Sequence, residues 1–108
     1  MSSVPLGRVW KMAKFNAGQR IRIRCEVQRG AFPTELLVTF DTADGPVSGF
    51  VPSEKVERIE GHEGYIGAIV KKVEGEIITV MVEGSFFTTN GLAYLKSDWA
   101  NSHVQPAA

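Results

Sequence analysis

The chain has 108 residues, 44% of them apolar and 22% charged, with a net charge of zero. That is enough for one domain with a modest core and too little for two. No stretch reaches the roughly 18 consecutive apolar residues of a membrane-spanning helix, and the single cysteine, Cys25, has no partner for an internal disulfide. A cytoplasmic protein without a membrane partner is the expectation.

The zero net charge conceals an uneven distribution. Residues 1–30 hold seven basic side chains against Glu26 alone, a local charge of +6, and residues 31–108 balance it with −6. Such asymmetry marks a binding face, complementary surfaces within an oligomer, or plain solvated charge.

Ser2 to Asn16 shows no clean period. Val4, Leu6, Val9, Trp10, Met12 and Phe15 are too apolar for a free arm, so partial docking on the domain is expected, along an irregular path because of Pro5 and Gly7. A turn at Ala17-Gly18-Gln19 then opens the clearest alternation in the chain. Ile21, Ile23, Cys25 and Val27 occupy one phase, and Arg20, Arg22, Arg24, Glu26 and Gln28 the other. Period two over this length specifies a half-buried strand with a cationic outer face.

Gly30 and Pro33 interrupt the pattern, which resumes from Glu35 to Asp41 with Leu36, Val38 and Phe40 in one phase, and Asp44-Gly45-Pro46 predicts the next turn. Val47 to Val51 reads as the third strand, with Val47 and Val51 inward and Ser48 and Phe50 outward. Pro52 stops it, and Ser53 is a good N-cap for a short helical turn over Glu54–Glu57. Arg58–Glu63 reads as a polar connection. Tyr65–Val73 gives a fourth strand, Glu74-Gly75 a tight hairpin, and Glu76–Glu83 a fifth strand, apolar in both phases and so expected to be covered on both faces. The expected cover is a C-terminal hairpin, Phe86–Thr89 turning at Asn90-Gly91 into Leu92–Leu95, followed by a short turn through Trp99 and a loose tail.

The predicted fold is therefore all-β, a small five- to seven-stranded barrel, OB-like or alternatively SH3-like, with a short helical turn and a C-terminal hairpin. Its parts are an N-terminal arm over 1–17, a five-strand core over 18–83, a hairpin and turn packed on the barrel over 84–100, and a tail over 101–108.

The run from Gly18 to Val27, the segment Gly49-Phe50-Val51-Pro52-Ser53-Glu54 closing the third strand, and Gly64 to Val73 leading to the Gly75-bounded last strand together resemble the RNA-binding repeat of the large ribosomal protein S-one, an OB-fold module. In that family outward aromatic and basic side chains of the first three strands contact single-stranded RNA. The resemblance implies that role for Phe50 and Pro52, where the family often has a histidine at the Pro52 position, and for Arg22 and Arg24. The sequence departs from the family in a longer loop before the second strand, where Phe32 is the nearest replacement for an aromatic pair, and in the C-terminal hairpin. Arg20, Arg22 and Arg24 at alternate positions project about 6.5 to 7 Å apart, close to the step of phosphates along an extended single strand.

A non-catalytic binding module for single-stranded RNA or DNA is thus the first expectation, with Arg20, Arg22, Arg24, Phe32, Phe50 and Pro52 as its contact residues. The alternative is a protein-interaction or homo-oligomeric module built on the aromatics outside the core strands (Trp10, Phe15, Phe86, Phe87, Tyr94, Trp99). Neither reading uses a cofactor. Cys25 falls in an apolar phase, as a buried inert thiol does. His62 stands between Glu60 and Glu63 without a second histidine or cysteine at ligand spacing, so no metal or catalytic site is expected.

Overall fold

The computed structural model describes residues 15–82, 85–86 and 91–107. Nine strands run through them: β1 (Arg20–Arg29), β2 (Glu35–Thr42), β3 (Gly45–Pro52), β4 (Glu57–Glu60), β5 (Glu63–Glu74), β6 (Ile77–Val82), β7 (Ser85–Phe86), β8 (Leu92–Lys96) and β9 (Val104–Pro106). A 3-10 turn over Ser53–Lys55 separates β3 from β4, and a helix, α1 (Ser97–His103), separates β8 from β9. The strands form one curled antiparallel sheet in the order β7-β3-β2-β1-β5-β6-β8, with β4 added to β5 and β9 to β1. The result is a half-barrel, the small all-β barrel that the alternation predicts.

The inward phases supply the core. Ile21, Ile23, Val38, Val51, Ile66, Val70, Val80 and Leu95 are all less than 2% exposed, and they come from β1, β2, β3, β5, β6 and β8. The helix closes one part of this core, with Ala100 fully buried and the Trp99 ring 6.3 Å from Phe40. Val47 and Phe15 pack against the same cluster. Gly64 is one of the positions where a side chain will not fit, because a Cβ there would lie 2.8 Å from Val56 Cγ1 and 3.1 Å from Val27 Cγ2. Gly75 takes φ 61° in the tight turn between β5 and β6, a conformation costly for other residues.

Four features differ from the sequence reading. Phe86, the one described residue of the first arm of the expected C-terminal hairpin, pairs through β7 with β3 (Gly49↔Phe86, Phe50↔Ser85), and the second arm, β8, pairs with β6 (Val80↔Ala93). Residues 87–90, including the Asn90 of the expected turn, lie outside the described residues. Second, β8 joins the edge of β6 and does not cover its face, so Ile78, Val80 and Val82 are buried while Met81 remains 42% exposed.

Third, the expected tail is ordered as α1 and β9, with Val104 opposite Ile23, Gln105 opposite Arg22 and Pro106 opposite Ile21. A three-residue strand carries too little periodicity to be read from sequence, and its pairing depends on a strand far away in the chain. Fourth, Ser53 makes no capping bond. Pro52 holds the cap position, and the Ser53 backbone N–H donates to Thr34 O at 2.9 Å, tying β3 to the β1–β2 loop. The expected docking of the arm falls on residues 1–14, outside the described residues, apart from Phe15 and the bond from Gly18 N–H to Val70 O.

Candidate nucleic-acid interface

The inward phase of β1 fixes the outward one: with Ile21, Ile23, Cys25 and Val27 in the core, Arg20, Arg22 and Arg24 project from the opposite face. Register then decides what flanks them. Arg24 lies opposite Tyr65 and Arg22 opposite Gly67 on β5, and on its other side Arg22 lies opposite Gln105 of β9. Gly67 puts no side chain beside Arg22, whose Nε reaches Glu57 Oε1 of β4 at 2.8 Å.

Further bonds cross this surface. Gln105 Nε2 donates to the Tyr65 hydroxyl at 3.3 Å, and Arg58 donates to Gln105 Oε1 at 3.5 Å while its guanidinium carbon stands 6.0 Å from the Tyr65 ring centroid. Arg58 holds φ 52°, in the left-handed region that a side chain of its size adopts only under constraint. The arginine row, an aromatic ring and an amide therefore share one face built from β9, β1, β5 and β4. Beside it runs an open groove of about 570 Å³ lined by Arg20, Arg22, Lys55, Glu57, Ile69 and Met81.

The other expected contact residues lie elsewhere. Phe50 faces outward as its phase requires and is half-buried, but its register partner is Leu37, which in turn faces Gln28. It therefore sits two outward positions beyond Arg24 and two strands across, about 13 Å along and 10 Å sideways. Pro52, exposed at the end of β3, lies opposite Glu35. Phe32 is 66% exposed in the β1–β2 loop, beside a cavity of about 530 Å³ lined by Arg29, Pro33 and Leu36 among others. The structure thus unites Arg20, Arg22 and Arg24 and leaves Phe32, Phe50 and Pro52 outside their patch.

Two residues of the arginine face were not legible as such. Arg58 falls in the segment read as a connection and Gln105 in the expected tail. Tyr65, in contrast, follows from counting phase back from Ile66, Ala68 and Val70.

At the far end of the row Arg24 also lines a cleft of about 360 Å³ that includes Glu26, Asp41, His62, Trp99 and His103. The Trp99 and His103 rings stack at 4.3 Å and 5°, held by the helical spacing i, i+4 and by a 2.9 Å hydrogen bond between His103 Nδ1 and Trp99 O. The two histidines, far apart in sequence, thus share one cleft. Among the described residues, however, no three His, Cys, Asp or Glu side chains form a group able to hold a metal ion. Cys25 is 4% exposed and its thiol donates to Ile23 O at 3.2 Å. Burial pushes its pKa up to about 12, against a smaller opposing effect of a hydrogen bond with the Ile66 backbone.

No family model, curated protein or solved structure matches the chain. Among the described residues no helix is long and apolar enough to cross a membrane.

Proposed function

We propose that the protein is a non-catalytic binding module for single-stranded nucleic acid, RNA above all, of the kind the S-one repeat exemplifies, and that the ligand runs along the β1 arginine row. The observation that carries this reading is the junction of Arg20, Arg22 and Arg24 with Tyr65, Arg58 and Gln105 on one face. Locally, Arg20, Arg22, Arg24, Lys55 and Arg58 stand against Glu54, Glu57, Glu60 and Glu63, a balance of +1 with the cations gathered toward the Arg20 end. Cations at strand spacing follow a phosphate backbone, and an aromatic ring that a base can reach, here the half-buried Tyr65, stacks it for roughly 1 to 3 kcal/mol.

The test is fluorescence anisotropy with labelled single-stranded RNA of about ten nucleotides. Binding is expected at low salt and is expected to weaken as salt rises. Arg22→Ala and Arg24→Ala should each reduce the slope of log K against log salt by about 0.7, whereas Phe50→Ala should leave it unchanged. Absence of binding at low salt overturns the reading.

The outward faces of β5, β6 and β8 favour a second reading. Ile69 lies opposite Met81, and these two with Tyr94 are 38%, 42% and 43% exposed, an apolar patch of the kind that meets a protein partner or a second copy. Sedimentation showing a concentration-independent monomer would remove the homo-oligomeric form of that reading.

A further inference from the structure

Along the outward row of β1 the charges run Arg20, Arg22, Arg24, then Glu26, and the cleft beside Trp99 begins where the sign changes. Arg24 belongs to both: it ends the cationic row and lines the cleft. Beyond it stand the carboxylates of Glu26, Asp41 and Glu63, all exposed and none in an ion pair or hydrogen bond among the described residues. The stacked Trp99 and His103 rings add aromatic surface to the same walls.

Resting on the nucleic-acid reading above, we infer that this cleft takes one unstacked base of the bound strand and that it prefers guanine. A phosphate backbone following the arginines is repelled at Glu26, so it turns away while the attached base is free to enter. At about 360 Å³ the cleft falls within the size range of small-ligand sites, about 300 to 1,000 Å³. Bases splayed from single strands are read by aromatic stacking and by hydrogen bonds to their Watson–Crick edges.

The carboxylates of the walls select the edge: they only accept hydrogen bonds, while Arg24 and Thr39, which line the same cleft, can donate to a base's acceptor atoms. Guanine presents two adjacent donors, N1–H and the 2-amino group, which match the two oxygens of one carboxylate. Uracil presents a single N–H between two carbonyl oxygens, and these a carboxylate repels. Adenine and cytosine pair one amino donor with an acceptor ring nitrogen and fall between.

The experiment compares labelled oligouridine of about ten nucleotides with the same strand carrying one central guanosine or one central inosine, which lacks the 2-amino group. The guanosine strand is expected to bind at least about fivefold tighter than oligouridine, the low end of what one bidentate base contact discriminates. Inosine should lose most of that gain. Of Glu26→Gln, Asp41→Asn and Glu63→Gln, all at exposed positions that leave the core untouched, at least one should abolish the preference, while Arg20→Ala should weaken all three strands alike. Equal affinity for the guanosine strand and oligouridine, or a preference surviving in all three carboxylate variants, would overturn the inference while leaving the general nucleic-acid reading standing. Absence of binding by every strand would remove both.

Discussion

The two halves of β1 carry the same alternation and the same kind of inward residue, yet they present different surfaces. From Arg20 to Arg24 the strand lies between β5 and β9, and its outward arginines meet Glu57, Tyr65 and Gln105 from flanking strands. From Glu26 to Arg29 its neighbour is β2, with a further bond from Val27 N–H to His62 O at the β4–β5 turn, and its outward side borders the cleft of Asp41 and Trp99. The strand's own sequence decides which side chains point out. What they can do is decided by the strands laid beside them.

Substitutions that separate the halves sharpen this contrast. The largest effect is expected inside the first half, where Ile23 is fully buried: Ile23→Ala should cost about 2 to 5 kcal/mol in urea unfolding. A loss below about 1 kcal/mol would mean that the core does not depend on this half.

In the second half Gly64 lies opposite Cys25 and against Val27. The crowding of a methyl group there gives an expected loss of about 1 to 3 kcal/mol for Gly64→Ala.

Cys25, between the two halves, adds a pH dependence of its own. Its folded pKa, about 12, lies above the ordinary value of 9.0, so above pH 9 the unfolded chain releases the thiol proton first. The contribution to stability is complete below the unfolded value and is lost as pH rises toward 12, by about 1.4 kcal/mol near pH 10. Cys25→Ala should show a correspondingly shallower decline in thermal stability over that window, and parallel curves would contradict the assignment.

The smallest stability effect belongs to the outward pair of the first half. Glu57→Gln breaks an exposed ion pair and should change stability by less than about 1 kcal/mol. It also frees Arg22 and removes a negative charge, so oligonucleotide affinity at low salt should rise roughly two- to threefold, opposite in sign to Arg22→Ala.

Much of the fold is legible because β1, β2 and β3 each carry a one-sided alternation and because Gly45, Pro52 and Gly75 punctuate the chain. The arginine row is legible for the same reason, since once Ile21 and Ile23 go inward no other direction remains for Arg20, Arg22 and Arg24. What could not be read is the pairing at long range. Nothing local to Val104-Gln105-Pro106 says that these residues lie along β1, so Gln105 stayed hidden. Nothing local to Ser85-Phe86 or to Leu92–Lys96 says that the first lies along β3 and the second along β6. Arg58 was hidden by a register shift in β4 and by a backbone angle that no arginine prefers. His62 and His103 meet in one cleft only because α1 folds back onto β1 and β2.

The pairing of β9 with β1 also bears on how the barrel forms. Hydrogen bonds such as Ala107 N–H to Arg20 O join positions separated by most of the chain, and such contacts carry the greatest loop-closure cost. The short β9 is thus expected to dock late, after the hairpins β2–β3 and β5–β6 have formed, and the arginine face is complete only at that step. In a chevron measurement, substitutions that loosen β9, such as Val104→Ala, should quicken unfolding while leaving the refolding rate nearly unchanged.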